Sequence, residues 1–189
     1  MSSVVAAPLM TTADLLALPD DGRERWLIRG ELREGTMTVR NQFHSLLLIN
    51  IGFFLKQWND RQPLPRGKVL GGEAGFRLRQ TPDTIVGIDV AYVGPEIASR
   101  RNSSTTLIDG PPVLAVEILS PSDTQEGIHE KIDAYLAAGT KLVWVFDSKY
   151  PLVTVYEPGK NPTPLSAKDT LTGDPHLPGL SIPVAAIFE

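Results

Sequence analysis

Apolar and polar positions follow two rhythms along this chain. From Gln42 to Trp58, Phe43, Leu47, Ile51, Phe54 and Trp58 recur every three or four residues, and Leu46, Leu48 and Leu55 widen the stripe. That spacing predicts a long, mostly buried helix. A second stripe, Ile128, Ile132, Tyr135 and Leu136, predicts a helix ending at Gly139. Its start is expected at a capping box, Ser122 with Gln125 or, one register on, Asp123 with Glu126. Near-continuous apolar runs, TIVGIDVAYV (84–93), PVLAVEIL (112–119) and LVWVF (142–146), predict strands buried on both faces. RWLIRGEL and EGTMTVR predict a hairpin or meander, KVLGGEAGFRLRQ one or two strands with a glycine-marked bend, and LVTVYE another strand.

The remaining segments fall between these elements. Thr11 or Thr12 caps a short helix through Leu15, Leu16 and Leu18, which Pro19 and the DDG turn end. TPDT (81–84) is a turn, PEIASRRNSSTTLIDGPP (95–112) a polar surface excursion, and the proline- and glycine-rich tail closes with a strand and a short turn at VAAIF. Strand, capped helix, strand forms a βαβ unit, and a right-handed crossover sets LVWVF parallel to VLAVEIL. With hairpins on either side the sheet is mixed. The expected class is α/β or α+β, a central mixed sheet flanked by helices in one domain over residues 1–189, with residues 1–22 as an extension carrying the short helix.

Composition narrows the chemistry. The 189 residues contain no cysteine, which removes disulfides, thiolate zinc sites and cysteine nucleophiles. No stretch is long and apolar enough to span a membrane, and the N-terminus lacks the basic start and apolar centre of a secretory signal, so cytoplasmic residence is expected. A net charge of -4 argues against coating nucleic acid by bulk electrostatics. All eleven arginines lie within the first 101 residues, so a nucleic-acid surface is to be sought there, against the alternative of solvated strand faces. There is no GxGxxG or P-loop pattern and no GxSxG elbow, and His44, His129 and His176 lack metal-ligand spacing. Trp26, Trp58 and Trp144 fall on apolar patterns and are read as core.

Two acids break the apolar strands. Asp89 sits within GIDVAYV, and Glu117 shares one face of its strand with Val113, Ala115 and Leu119. Burying an unpaired carboxylate is costly, so each needs a partner. Buried salt bridges are one answer, and a divalent cation held jointly by neighbouring strands is the other. In the second reading Asp89 and Glu117 ligate Mg2+ or Mn2+ and the Ile118 carbonyl is a third ligand. Lys131, bordering the buried face of the following helix, then orients a water or stabilises phosphate charge. Taken alone, Lys131 also fits a lysine snorkelling over apolar neighbours.

The order of these residues resembles the PD-(D/E)XK nuclease superfamily, in the variant whose lysine lies on the helix after the Glu strand. More closely, it resembles the Uma-type family of restriction endonuclease-like proteins, through LIRGEL, the helix with His44, GGEAGFRL, IDVAYV, VEILSPSD, EKIDAYLAAGTKLVWVFD, VTVYEP and LPGLSIPVAAIF. The resemblance covers nearly all of residues 24–188. It implies a restriction endonuclease-like fold and Mg2+- or Mn2+-dependent hydrolysis of phosphodiester bonds, most naturally in DNA; a homodimer is expected because two sites are convenient for cutting a duplex. Asp89 and Glu117 match the metal-binding acids, Lys131 the catalytic lysine and Glu31 an additional acid, with Ser120 and His44 at neighbouring positions. Ile88 stands where the family pattern has proline, and Leu119 where the usual lysine lies. A nuclease-like fold that binds nucleic acid or a protein without turnover is the alternative.

Overall fold

The computed structural model describes residues 8–36, 41–100 and 106–189. In chain order its elements are α1 (Thr12–Leu16), β1 (Arg23–Ile28), β2 (Glu31–Thr36), α2 (Gln42–Asp60), β3 (Lys68–Arg79), β4 (Thr84–Val93), α3 (Pro95–Ala98), β5 (Ile108–Asp109), β6 (Leu114–Ile118), α4 (Gln125–Ala138), β7 (Leu142–Phe146), β8 (Leu152–Tyr156), β9 (Thr163–Ser166), β10 (Thr170–Thr172), β11 (Ser181–Pro183) and α5 (Val184–Ile187). β1 to β9 build one mixed sheet, in which β6 and β7 are parallel and most other neighbours antiparallel, while β10 and β11 form a separate ribbon. The parallel β6–α4–β7 unit is the one the sequence pattern predicts.

The sheet forks at β4. β3 pairs along one edge of β4 from Thr84 to Val93. The other edge is shared: β1 meets it near the start, Leu27 opposite Ile85, and β6 near the end, Val90 opposite Val116 through Tyr92 opposite Leu114. Between these pairings β1 and β6 separate, and Asp89 stands at the opening. On the β3 side the ladder is also broken there, since Gly71 pairs Val90 but Ala74 pairs Ile88, so Gly72 and Glu73 oppose Asp89 alone. This is a bulge, with Gly72 at φ 79° and Glu73 at φ 58°. A left-handed backbone costs a non-glycine residue about 1–3 kcal/mol, and such strain clusters at functional sites.

Two apolar layers enclose the sheet. On one face α2 buries Leu47, Ile51 and Leu55 against Val116, Ile118, Trp144 and Phe146, and the C-terminal segment adds Leu171, Ile182 and Ile187. On the other, Ile132 and Tyr135 of α4 pack on Ala115, Val143 and Val145, with Phe76 and Ile88 alongside. Odd-numbered residues of β6 therefore face α4 and even-numbered ones α2, as the alternation predicts.

Several boundaries differ from expectation. RWLIRGEL is not one strand: Arg29 and Gly30, both with positive φ, form a tight two-residue turn inside it. Part of the second predicted strand, residues 37–40, lies outside the described residues, as do residues 101–105 of the excursion, which otherwise contains α3 and β5. α2 has an outward face with Phe43, Ile49 and Phe53 more than half exposed, so its spacing overstates its burial. The cap of α4 is Thr124, whose side chain accepts from the Gly127 N–H at 3.1 Å, and neither Ser122 nor Asp123 caps the helix. Asp123 is committed elsewhere, accepting from the Ser120 N–H at 2.6 Å to close the turn that leaves β6. Thr11 caps α1 in a reciprocal box with Asp14, one of the two threonines expected to do so.

Candidate active site

Asp89 and Glu117 come together at the fork. They lie on antiparallel neighbours, are 4% and 5% exposed, and occupy opposite register positions one step beyond the Val90–Val116 pair. The Asp89 carboxylate crosses between strands: Oδ2 accepts from the Ile118 N–H at 2.8 Å. Oδ1 lies 3.2 Å from Nε2 of His44, a residue 1% exposed on α2, without the alignment of a hydrogen bond. Burial pushes the Asp89 carboxyl up, but His44 and the Ile118 N–H outweigh it and hold the group below the usual carboxylate range. In an extended strand a residue's N–H and C=O project to the same side, so the Ile118 carbonyl also faces the β4 side.

Glu117 is held from the α4 face. Lys131 Nζ donates to its Oε2 at 3.0 Å, and the Tyr135 hydroxyl donates to its Oε1. Lys131 and Tyr135 are one helical turn apart, which sets both donors over the same carboxylate. Burial holds the Glu117 carboxyl above its ordinary range, with Lys131 opposing and Asp89 adding to the rise. The Lys131 ammonium is held in its charged form, since burial lowers its pKa but the attraction and hydrogen bond of Glu117, with the charges of Glu73 and Asp89, together raise it by more. Burial, then Glu117, raises the Tyr135 phenol well above its ordinary value, so it remains a donor. Lys131 also lies 5.6 Å from the centre of the Trp26 ring, within cation–π range.

Glu73 belongs to this constellation. It interacts electrostatically with Asp89, Lys131 and Tyr135, and a side chain at Gly87 would begin 2.7 Å from its Oε2. The bulge and the missing Cβ at Gly87 thus admit Glu73 to the fork. The sequence signal was present in GGEAGF, an acid between glycines at a predicted bend, and sequence reasoning passed over it.

Glu31 and Ser120 are placed differently from these groups. Glu31 sits at the start of β2 with its carboxylate 3.0 Å from Arg33 Nη2, and Arg33 reaches across to Glu130 of α4 at 2.6 and 2.9 Å. Ser120 Oγ bonds Ser122 Oγ at 2.8 Å in the loop after β6. The hairpin β1–β2 and α4 wall a cleft of about 1250 Å³ that reaches Glu117 and Lys131, with Glu31 on its wall. Its lining is acid-rich: Glu24, Glu34, Glu126, Glu130 and Asp133 join Glu31, against Arg29, Arg33 and Arg79. Among the described residues Arg23, Arg25, Arg33, Arg66 and Arg77 each pair with a carboxylate, while Arg29 and Arg79 line the cleft. That pattern favours solvated, ion-paired strand faces over an arginine-lined phosphate surface in these positions.

The donors suit a hard divalent cation in type, carboxylate and carbonyl oxygens at a buried fork where Asp89 Oδ1 makes no hydrogen bond. Their present arrangement is not yet a ligand cage. Among the described residues no three acid or histidine side chains converge closely enough to hold an ion, and both Glu117 oxygens accept from protein donors.

A family model described as "Uma2: Putative restriction endonuclease" matches residues 12–185. Among solved structures, the chain is similar to the crystal structure of a putative nuclease belonging to DUF820 from Anabaena variabilis ATCC 29413. The TM-score is 0.78 at 18% identity, covering 95% of this chain and 97% of the other, a likeness of fold. No curated protein matches. No helix among the described residues is long and apolar enough to cross a membrane. With the family pattern extending from α1 to α5 over the forked sheet that carries Asp89 and Glu117 and the helix that carries Lys131, this chain belongs to the Uma2 family of restriction endonuclease-like proteins.

Proposed function

We propose that this protein is a metal-dependent nuclease that hydrolyses phosphodiester bonds in DNA. The observation that carries the reading is the pairing at the fork: two buried acids on adjacent strands, with a helix lysine joined to one of them. Asp89, Glu117 and the Ile118 carbonyl would hold Mg2+ or Mn2+, and Glu73 lies close enough in charge to contribute, a role the sequence pattern had given to Glu31. A divalent cation there would supply Lewis acidity to the scissile phosphate. The Ile118 N–H fixes Asp89, with His44 beside it on the α2 face, and Tyr135 fixes Glu117 from the α4 face, so both carboxylates are pre-oriented before substrate arrives. Lys131 supplies positive charge where the phosphate gains negative charge. Cutting a duplex suits a homodimer with two such sites.

The acid-rich cleft and the engaged arginines favour a second reading, a nuclease fold that binds without turnover. Cleavage of DNA in Mg2+ by wild type, Asp89→Asn and Glu117→Gln separates the two. The nuclease reading predicts cleavage only in wild type, with all three proteins folded by circular dichroism. Equal cleavage by a purified variant rules that reading out, and no cleavage by wild type with any divalent ion favours the second.

A further inference from the structure

The two oxygens of Glu117 are held unequally. Oε1 accepts from Tyr135, which is 0% exposed and packed into the core beneath α4, so that donor cannot leave without opening the core. Oε2 accepts from Lys131, whose side chain keeps 20% of its surface exposed to the cleft on a flexible four-carbon stem. One donor is built in and the other can move. An ammonium and a divalent ion cannot share one carboxylate oxygen at contact distance in a half-buried site, because their repulsion there is weakly screened.

We propose that Lys131 is a placeholder for the cation: its ammonium occupies the seat on Glu117 Oε2, so that the Lys131–Glu117 pair and ion binding are mutually exclusive. The inference rests on the metal-dependent reading of the same site. Tyr135 keeps Oε1, leaving Glu117 to bind through Oε2 alone, while displaced Lys131 turns its ammonium toward the cleft and the phosphate. Without an ion, Lys131 balances Glu117 and is withheld from substrate. Two tasks, neutralising Glu117 and meeting the phosphate, then fall to one side chain in sequence.

Calorimetric titration with Mn2+ tests this in wild type, Lys131→Met and Lys131→Gln, at pH 8.5 so that protons do not replace the ammonium. Removing an internal competitor raises apparent affinity, and both folded variants are expected to bind Mn2+ about tenfold more tightly than wild type while cleaving nothing. Unchanged or weaker binding in the folded variants overturns the inference. Should neither variant fold, wild type still decides. Lys131 lies beside Trp26, so Mg2+ should change tryptophan emission in wild type and not in Trp26→Phe, and no change in wild type overturns the proposal. A wild type with no Asp89-dependent Mn2+ binding instead removes the metal-dependent reading itself, a distinct outcome.

Discussion

The two faces of the central sheet do different work. Under α2 the layer is large and mostly apolar, with Leu47, Ile51, Leu55, Trp144 and Phe146 at 1% exposure or less and His44 and Tyr92 as buried ionisable side chains. Under α4 the layer is smaller, includes the small residues Ala91 and Ala115, and surrounds Glu117, Lys131 and Tyr135 with their hydrogen bonds. The difference teaches where stability and chemistry reside. Apolar burial on the α2 face contributes on the order of 25 cal/mol per Å² without positional demands on charge. On the α4 face, desolvating Glu117 and Lys131 offsets much of what their attraction gains, so the pair adds little net stability and is better explained by function.

Three substitutions sharpen or break that contrast. The largest expected effect is on catalysis: Glu117→Gln, whose one carbonyl oxygen can accept from Lys131 while its amide N–H donates to the Tyr135 hydroxyl, should lower DNA cleavage by roughly a thousandfold or more with little change in melting temperature. A cleavage assay paired with thermal denaturation checks both halves, and a large loss of stability with cleavage retained would invert the assignment of the two faces. Next, Leu55→Ala on the α2 face should cost about 2–5 kcal/mol in chemical denaturation, while cleavage by the remaining folded protein stays near wild type. The smallest effect is expected at the bulge, where Glu73→Gln should reduce kcat/KM by about tenfold with little change in melting temperature, since it removes charge beside Asp89 without touching either apolar layer. An inactive but normally stable Leu55→Ala protein would mean that the α2 face is not merely structural.

What could be read from the sequence followed from residues whose physics is local. Periodicity gave α2, α4 and the buried strands, because an apolar stripe has few other ways to be buried. Asp89 and Glu117 were visible as acids in apolar runs, and Lys131 as a charge bordering a buried face, and the structure brings these three together. Glu73 was missed because its importance arises from tertiary arrangement: the bulge, its left-handed backbone and the absent Cβ of Gly87. Tyr135 was read as core, which it is, but its hydroxyl has a partner that periodicity cannot reveal. The α4 cap was misplaced because three oxygen-bearing side chains precede the helix, and the turn to Ser120 had already claimed Asp123. Arginine count could not locate a phosphate surface for a related reason, since composition does not record which arginines face carboxylates.

The central claim is that the fork of β4 and β6 is a cation seat shared by two strands. The most direct measurement is a crystal structure with Mn2+ soaked in, located by anomalous scattering. The account predicts one strong peak bridging an Asp89 oxygen and Glu117 Oε2, with Lys131 moved off that oxygen. A peak elsewhere, or an Mn2+-saturated crystal in which Lys131 still holds Glu117 and the fork contains no ion, would contradict it.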